Sequence, residues 1–404
     1  LETLVRFDRK NYYYSDLPKG FQITQQFHPI GTNGYVEIDV DGKKKQIRIE
    51  RIHMEEDTAK QFHKETGTYI DFNRAGTPLI EIVSKPDMHS AKEAAAYVET
   101  LRKNLLYLNV SDVKMEEGSM RCDVNISLSK DKDTLGTKTE IKNLNSIANV
   151  QKAVQAEIER QSALLDAGEK VEQATRRYDE AQKTTILMRK KEGNVDYKYF
   201  PEPNIFPIQL DLDWVKSIQD NLEELPDARL ARFMKDYELS EYDASVLVSD
   251  REMADFFEEV LKSTKFAKKA CNWVIGDVSA YLNKNNLNFK NVPCSSENLA
   301  SLINVIGAGE ISGKQGKVVF EEVMQGKDPK KVIEEKGMKQ VSDDGAILAI
   351  VNSVLDANPQ SIEDFKNGKD RAVGFLVGQV MKASRGQANP KRTNELIQEE
   401  LKKR

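Results

Sequence analysis

The chain has 404 residues, 39% of them hydrophobic and 31% charged, and a formal net charge of −5 at pH 7. This is the composition of an ordinary globular protein, and the length predicts two or three domains at roughly 150 residues each. The weak negative charge gives no global attraction to nucleic acid. Apolar runs such as 346–351 fall far short of the ~20 residues that cross a bilayer, so we expect no membrane association.

The N-terminal sequence and the cysteines indicate the compartment. The first residues, LETLVRFDRKN, lack the apolar centre and cleavage site of a secretory signal. The three cysteines, Cys122, Cys271 and Cys294, are scattered and have no paired metal-ligand spacing. Sparse, unpaired cysteines are typical of a reducing compartment. We therefore expect a cytoplasmic protein.

Residues 1–222 predict a β-rich domain. Apolar and polar residues alternate over 35–40 and over 46–52, and the Asp41-Gly42 pair between them predicts a hairpin turn. Further strands are predicted over 79–83, 121–128, 137–142 and 184–189.

Two helices are predicted within this domain. Ser90 and Glu93 have the spacing of a capping box at the start of an amphipathic helix. A longer polar helix is predicted from about 146 to 167, with Gly168 as its natural end.

The remainder of the chain predicts only helices. Helical patterns over 228–237, 251–264, 268–283 and 297–307 predict an all-helical domain over 223–337. A small helical tail domain is predicted over 338–404. Its last 34 residues carry eight Lys or Arg against three acidic residues, which on charge alone indicates a solvated face rather than a binding surface. The predicted fold class is thus α+β, a β-rich cradle-like domain followed by helices.

The strongest candidate for chemistry is the acidic run Glu55-Glu56-Asp57, which follows His53. Consecutive carboxylates repel one another unless positive charge lies among them. They form either an acidic surface turn or hard oxygen ligands for Mg²⁺, which takes one or two carboxylates plus nucleotide phosphates. The residues alone leave both interpretations open.

Other polar positions extend this candidate site. Glu81 occupies an alternating position of the 79–83 strand, where a charge is either exposed or functional. Arg121, Asp123 and Asn125 share one face of the 121–128 strand, a face that could equally be plain solvent-facing surface. Basic groups suited to phosphate or carboxylate are Lys10, Lys19, Arg74, Arg121 and Lys138.

Familiar nucleotide and nucleophile motifs are absent from the sequence. No G-x-x-x-x-G-K-[ST] loop occurs, and GEISGKQGK at 309–317 lacks the required spacing. There is no serine- and glycine-rich amidase nucleophile segment. Nucleotide chemistry would therefore need a site of carboxylates and bases on a sheet, and ammonia would have to come from another chain.

Several long segments resemble the B subunit of the aspartyl/glutamyl-tRNA amidotransferase family. They are HMEEDTAK at 53–60, DFNRAGTPLIEIVSKPD at 71–87, VKMEEGSMRCDVNISL at 113–128, KTEIKNLNS at 138–146 and DYKYFPEP at 196–203. GFLVGQVMKASRGQANP at 374–390 resembles the family's tail module. The resemblance covers essentially the whole chain.

The resemblance implies a specific activity. The β-rich domain would use ATP and Mg²⁺ to phosphorylate the side-chain carboxylate of Glu-tRNA(Gln) or Asp-tRNA(Asn). Ammonia from the amidase (glutaminase) partner, the A subunit of the complex, would then displace phosphate to give Gln-tRNA(Gln) or Asn-tRNA(Asn). A small C subunit would clasp the pair. The helical and tail domains would hold the tRNA, and no DNA partner is implied.

The resemblance also implies roles for individual residues. Glu56 and Glu81 are assigned to Mg²⁺ and phosphate organisation, and Glu55 is a further candidate metal ligand. Lys19 and Arg74 complete the implied catalytic set. The implied nucleotide and substrate contacts are Asn73, Arg121, Asp123 and Lys138.

One departure from the family pattern concerns the start of the chain. Family members begin with a strand carrying G-L-E-V-H, whose Glu and His are implied to complete the metal site, and this sequence begins downstream of it, at Leu1. We interpret the sequence as truncated, which puts the activity of this chain alone in question. Two other function classes stay open: a non-catalytic tRNA-binding scaffold, and a stand-alone ATP-dependent ligase.

Overall fold

A computed structural model describes residues 1–131, 134–190, 196–338, 344–366, 371–384 and 387–404. The chain divides into two compact units, Leu1–Leu225 and Pro226–Arg404. Within those ranges, the first unit contains the β-strands and three helices, and the second is helical, so the predicted α+β class is confirmed. The further division of the second unit near residue 338 stays a prediction.

The strands of the first unit are β1 Leu4–Val5, β2 Asp8–Asn11, β3 Phe21–Thr24, β4 Gly31–Val40, β5 Lys43–Glu56, β6 Lys60–Lys64, β7 Gly67–Asp71, β8 Pro78–Ser84, β9 Val124–Ile126, β10 Thr139–Lys142, β11 Ala174–Asp179, β12 Thr184–Lys190, β13 Phe200–Pro201 and β14 Ile208–Gln209. Its helices are α1 Ala91–Tyr107, α2 Ile147–Asp166 and α3 Leu212–Asp220.

These strands form several small sheets rather than one large one. The sheet that matters for the site is antiparallel, in the order β4-β5-β8. A second sheet has the order β12-β11-β10-β9, with β10 and β11 parallel. The remaining groups are β13-β2-β3, β6-β7 and β1-β14.

The predicted hairpin is confirmed as β4 and β5. Asp41 and Gly42 both have positive φ, 53° and 76°, as the two central residues of a type I′ turn require. The Gly42 N–H donates to Asp39 Oδ1 at 2.9 Å, which fixes the turn. The long β5 strand carries the acidic run at its far end.

Helices α1 and α2 begin where their predicted caps place them, and α2 also ends where the predicted glycine places it. The Glu93 N–H donates to the Ser90 hydroxyl at 3.1 Å, whereas the Glu93 carboxylate accepts from the N–H of His89 rather than that of Ser90. Ser146 caps α2 in the same way, and Gly168 has the left-handed φ of 77° that ends it.

The core of the first unit lies between these helices and the sheets. One hydrophobic cluster connects strands β4, β5 and β10 with the inward faces of α1 and α2. Its most buried members are Ile38, Ile47, Ile141, Val150 and Ala153. Burial of this apolar surface holds the sheets and helices together.

Two predicted strands are shorter than expected. The 121–128 strand is confined to β9, so Arg121 and Asp123 precede it, and Lys138 precedes β10. The predicted alternation of Arg121, Asp123 and Asn125 along one strand face is therefore wrong for the first two residues.

The helices of the second unit are α4 Pro226–Asp236, α5 Glu241–Val248, α6 Arg251–Leu261, α7 Ala267–Asn272, α8 Ser279–Lys284, α9 Ser296–Gly307, α10 Gly313–Val323, α11 Pro329–Glu335, α12 Asp344–Ala357, α13 Pro359–Lys366, α14 Arg371–Ala383 and α15 Pro390–Lys403. A π-helical segment, Trp273–Val278, joins α7 to α8, and a 3₁₀ turn spans Phe289–Asn291. The predicted 268–283 helix is thus a continuous helical segment whose middle part is π-helical.

The last four helices enclose an apolar cluster of their own, which includes Ile347, Val351, Leu376, Val380 and Ile397. No helix in the described ranges is both long enough and apolar enough to cross a membrane.

Candidate functional site

A carboxylate–histidine group lies across strands β5 and β8. His53 and Glu55 are two residues apart on β5 and so share a face, and the antiparallel register places Glu81 directly opposite His53. The His53 Nε2 atom lies 3.7 Å from Glu55 Oε2 and 3.6 Å from Glu81 Oε2. Among the described residues, these three side chains form the one set of acidic or histidine groups whose ligand atoms all lie within 4.8 Å of one another.

The group is buried on one side and open on the other. The side chains of His53 and Glu55 are 10% and 15% exposed, whereas that of Glu81 is 52% exposed. Both contacts to Nε2 are longer than a hydrogen bond, and the buried Nδ1 of His53 has no hydrogen-bond partner within the described part of the chain. The polar atoms of this group are therefore not saturated by one another, and the group faces solvent through Glu81.

Glu56 is not a member of this group. It follows Glu55 on β5 and so points to the opposite face of the strand. Its carboxylate forms an ion pair with Lys19 and accepts the N–H of Ile23 at 2.9 Å, and its carbonyl accepts from Gln22 at 2.8 Å. Among the predicted residues, Lys19 therefore pairs with Glu56. Glu55 and Glu81 instead both lie beside His53.

A second polar cluster lies immediately after β5. The carboxylate of Asp57 lies 3.0 Å from Arg74 Nε and 2.8 Å from Arg121 Nη2. Arg74 also donates to the carbonyl of Gly118 at 3.2 Å. The structure therefore brings together two of the predicted phosphate or substrate contacts, Arg74 and Arg121, through Asp57, the third carboxylate of the acidic run.

The remaining predicted site residues lie in other settings. Asn73 is exposed in the turn after β7, where its backbone and side-chain N–H groups both bind Asp71. Asp123 pairs with Lys142 of β10 at 2.5 Å. Lys138 is exposed just before β10. Neither the contacts of Asn73 nor those of Asp123 reach the carboxylate–histidine group.

Tyrosines from the two ends of the first unit lie beside the carboxylates. The rings of Tyr12 and Tyr197 are 5.8 Å apart, and those of Tyr197 and Tyr199 are 5.9 Å apart. Burial raises the pKa of Tyr12 to about 12, and the charge of Glu55 adds to that rise. Burial also raises the pKa of Tyr199, with smaller contributions from Glu55 and Glu81. These hydroxyls thus stay protonated near neutral pH and can donate hydrogen bonds next to the site.

The lysine and tyrosines near the N-terminus divide between packing and exposure. The Lys10 ammonium lies 4.8 Å from the ring centre of Tyr197 and 5.6 Å from that of Tyr12, within cation–π range. Tyr13 and Tyr14 are instead 99% and 60% exposed. Tyr12 is therefore packed among other side chains, whereas Tyr13 and Tyr14 present most of their surface to solvent.

Comparison with known protein families identifies the class of domain that carries this site. Residues 1–216 match the family model described as the GatB/GatE catalytic domain, and residues 255–401 match the GatB domain model. The first unit, with its carboxylate–histidine group, is therefore a catalytic domain of the GatB/GatE type.

Comparison with individual proteins identifies the family within this class. The chain is 54% identical over 403 residues, 99% of its length, to the B subunit of the aspartyl/glutamyl-tRNA(Asn/Gln) amidotransferase of Enterococcus faecalis, of which it covers 85%. It is 52% identical to the B subunits of that name from Oceanobacillus iheyensis and Bacillus velezensis, with 100% of the chain and 86% of each relative covered. The chain belongs to the family of aspartyl/glutamyl-tRNA(Asn/Gln) amidotransferase B subunits, as its motifs predict.

Proposed function

We propose that this chain is the activating subunit of a tRNA-dependent amidotransferase and that the His53–Glu55–Glu81 group is the centre of its activation step. The observation that carries the proposal is that two carboxylates and an imidazole converge on one another, with ligand atoms within 4.8 Å, on one face of the catalytic domain's β5–β8 strand pair. The names of the relatives indicate the substrates, glutamate or aspartate attached to tRNA(Gln) or tRNA(Asn).

The donor set fits a divalent cation that takes few protein ligands. Glu55 and Glu81 offer hard oxygen atoms, and their repulsion is relieved by a positive ion between them. The half-exposed side chain of Glu81 leaves that side of the group open to the water and phosphate oxygens that Mg²⁺ retains. Bound Mg²⁺ would neutralise charge on the nucleotide phosphates. Glu55 and Glu81, rather than Glu56, are the residues of this chain that would hold it.

The proposed reaction itself needs no protein nucleophile. A side-chain carboxylate oxygen of the aminoacyl group attacks the γ-phosphorus of ATP, the bond to the bridging oxygen breaks, and ADP leaves. Ammonia then attacks the carbonyl carbon and phosphate departs, leaving an amide. Both steps need positioning and charge neutralisation more than covalent help, which suits a site of carboxylates and arginines.

The other predicted residues have supporting places in this proposal. Lys19, held by Glu56, and the exposed guanidinium groups of Arg74 and Arg121 supply positive charge on the same unit. Asn73, Asp123 and Lys138 are exposed or partly exposed polar groups of that unit and stay candidate substrate contacts. Ammonia would come from the amidase partner, held in place by the small third chain of the complex.

The proposal is tested by reconstitution with the amidase and small subunits. With Glu-tRNA(Gln), ATP, Mg²⁺ and glutamine, we expect Gln-tRNA(Gln) and ADP to form together, and both to require the charged tRNA. A scaffold would bind the tRNA and release no ADP. A stand-alone ligase would amidate free glutamate without tRNA, and either result would overturn the proposal.

A further inference from the structure

The carboxylate of Asp57 is held more firmly than any other in the acidic run. Its side chain is 6% exposed, the least of the three consecutive acidic residues. The backbone N–H of Asp57 donates to Thr77 at 2.8 Å and its carbonyl accepts from Gly76 at 2.9 Å. The Thr58 N–H donates to Asp57 Oδ1 at 2.9 Å. Hydrogen bonds of the Asp57 backbone thus fix the position of this carboxylate, and the hydrogen bond from Thr58 fixes its orientation.

Two arginines from separate turns share this one carboxylate. Arg74 follows β7 and binds Oδ2 through its Nε, while Arg121 precedes β9 and binds Oδ1 through one terminal nitrogen. Arg74 is further restrained by the carbonyl of Gly118, which has a positive φ of 79° and so can turn toward the guanidinium. The two guanidinium groups are thereby held on opposite oxygens of one carboxylate.

The charge of this cluster does not balance. One buried carboxylate neutralises one guanidinium, yet two are present, and their side chains stay 44% and 59% exposed. These three side chains together therefore keep one positive charge in excess, which a further anion can offset. Within the described residues, the contacts use two nitrogens of Arg74 and one of Arg121, so N–H groups of both arginines remain for a ligand.

The position of the cluster indicates which anion fits. Asp57 is two residues beyond Glu55, or about 7 Å along an extended chain. The carboxylate that holds the fork thus immediately follows the strand end that carries Glu55 of the proposed cation site. Arginine forks match the oxygens of a phosphate group.

We propose that Asp57 is a positioning residue that holds Arg74 and Arg121 as an anion-binding fork for a phosphate group of the nucleotide. The carboxylate does not touch the reacting atoms; it sets the distance and the angle between two guanidinium groups. The inference rests on the proposed function for the identity of the nucleotide, whereas the fork itself rests on the geometry of the three side chains.

The test is Asp57→Asn in the reconstituted complex, with ATP and Glu-tRNA(Gln) titrated separately. The amide keeps the size of the side chain but loses its charge, so the arginines are no longer held as a pair. We expect the KM for ATP to rise about tenfold or more, with a smaller change in kcat and an unchanged KM for Glu-tRNA(Gln). Turnover by the wild-type complex establishes the proposed function independently of this result.

The matched control is Asp87→Asn. Asp87 also holds an arginine, Arg48, through contacts of 2.6 to 2.9 Å, but on the β5–β8 sheet away from the fork. We expect it to leave the KM for ATP unchanged. A purely structural role for Asp57 would lower the melting temperature without separating the two KM values.

Two outcomes would overturn the inference. One is an unchanged KM for ATP in a folded Asp57→Asn complex. The other is a rise confined to the KM for Glu-tRNA(Gln), which would assign the fork to a phosphate of the tRNA.

If Asp57→Asn does not fold, Arg121→Lys replaces it as the test. The side chain of Arg121 is half-exposed, and lysine keeps its charge but lacks the planar guanidinium fork. We expect several-fold weaker ATP binding from that variant as well, and an unchanged KM for ATP would overturn the inference.

Discussion

The imidazole Nε2 of His53 lies 3.6 Å from a carboxylate oxygen of Glu81, its cross-strand partner. The two residues are 28 positions apart in sequence, and only the antiparallel register of β5 and β8 brings them together. Because Glu55 lies on the same face, the register also decides which of two adjacent glutamates belongs to the site.

The first prediction separates those two glutamates. Glu55→Gln replaces a charged carboxylate of the group by a neutral amide, so we expect Mg²⁺ binding, or Mn²⁺ binding as a probe, to weaken by about tenfold or more. Glu56→Gln changes a side chain on the other face that is occupied by Lys19 and Ile23, and we expect cation affinity to stay near the wild-type value. Isothermal titration calorimetry measures both. An equal loss in the two variants would contradict the assignment.

The second prediction concerns the buried Glu157 of α2. Burial alone would raise its pKa, but hydrogen bonds from Arg160, Gln161 and Thr185 outweigh burial and lower the pKa below the ordinary value. Its charge therefore stabilises the folded state above the unfolded pKa of about 4.3, and this stabilisation is lost as the pH falls through the lowered folded pKa.

We expect Glu157→Gln to lower the free energy of unfolding at pH 7 by about 3 kcal/mol, because Arg160 loses its buried partner. The wild-type melting temperature should fall toward that of the variant as the pH drops below the unfolded pKa of about 4.3. Calorimetry at a series of pH values checks this. Glu159→Gln, on the exposed face of the same helix, is the control and should change little at any pH.

The third prediction concerns two glycines of the helical unit. A Cβ at Gly307, the last residue of α9, would lie 2.3 Å from the ring of Phe266, while a Cβ at Gly313 would meet open space. We expect Gly307→Ala to cost about 1 to 3 kcal/mol and Gly313→Ala to be neutral or slightly stabilising. Urea unfolding followed by the fluorescence of the buried Trp273 distinguishes the two. Equal midpoints would contradict the predicted steric clash.

Much of the local structure was accessible from sequence because its causes are local. The Asp41-Gly42 turn, the Ser90 and Ser146 caps and the end of α2 at Gly168 each follow from the chemistry of one or two residues. Strands β6 and β11 were missed because KQFHK and ATRRYD contain too few apolar residues to show a buried face.

The site was only partly predictable for the same physical reason. The period-2 geometry of a strand would have grouped His53 with Glu55 and excluded Glu56, and that signal was present in the sequence. The pairing of His53 with Glu81, and the meeting of Arg74 and Arg121 on Asp57, depend on long-range register and turns. No local pattern encodes those contacts.

The most direct test of the account is ATP-dependent amidation of Glu-tRNA(Gln) with ammonium chloride as nitrogen donor, which bypasses the amidase. The complex carries Glu55→Gln or Glu81→Gln in this chain, with Glu50→Gln as a control on the same strand β5. We predict that the first two lose about 100-fold or more in kcat while binding Glu-tRNA(Gln) normally, and that the control stays active. Wild-type turnover in both site variants would contradict the claim that these carboxylates form the activation centre.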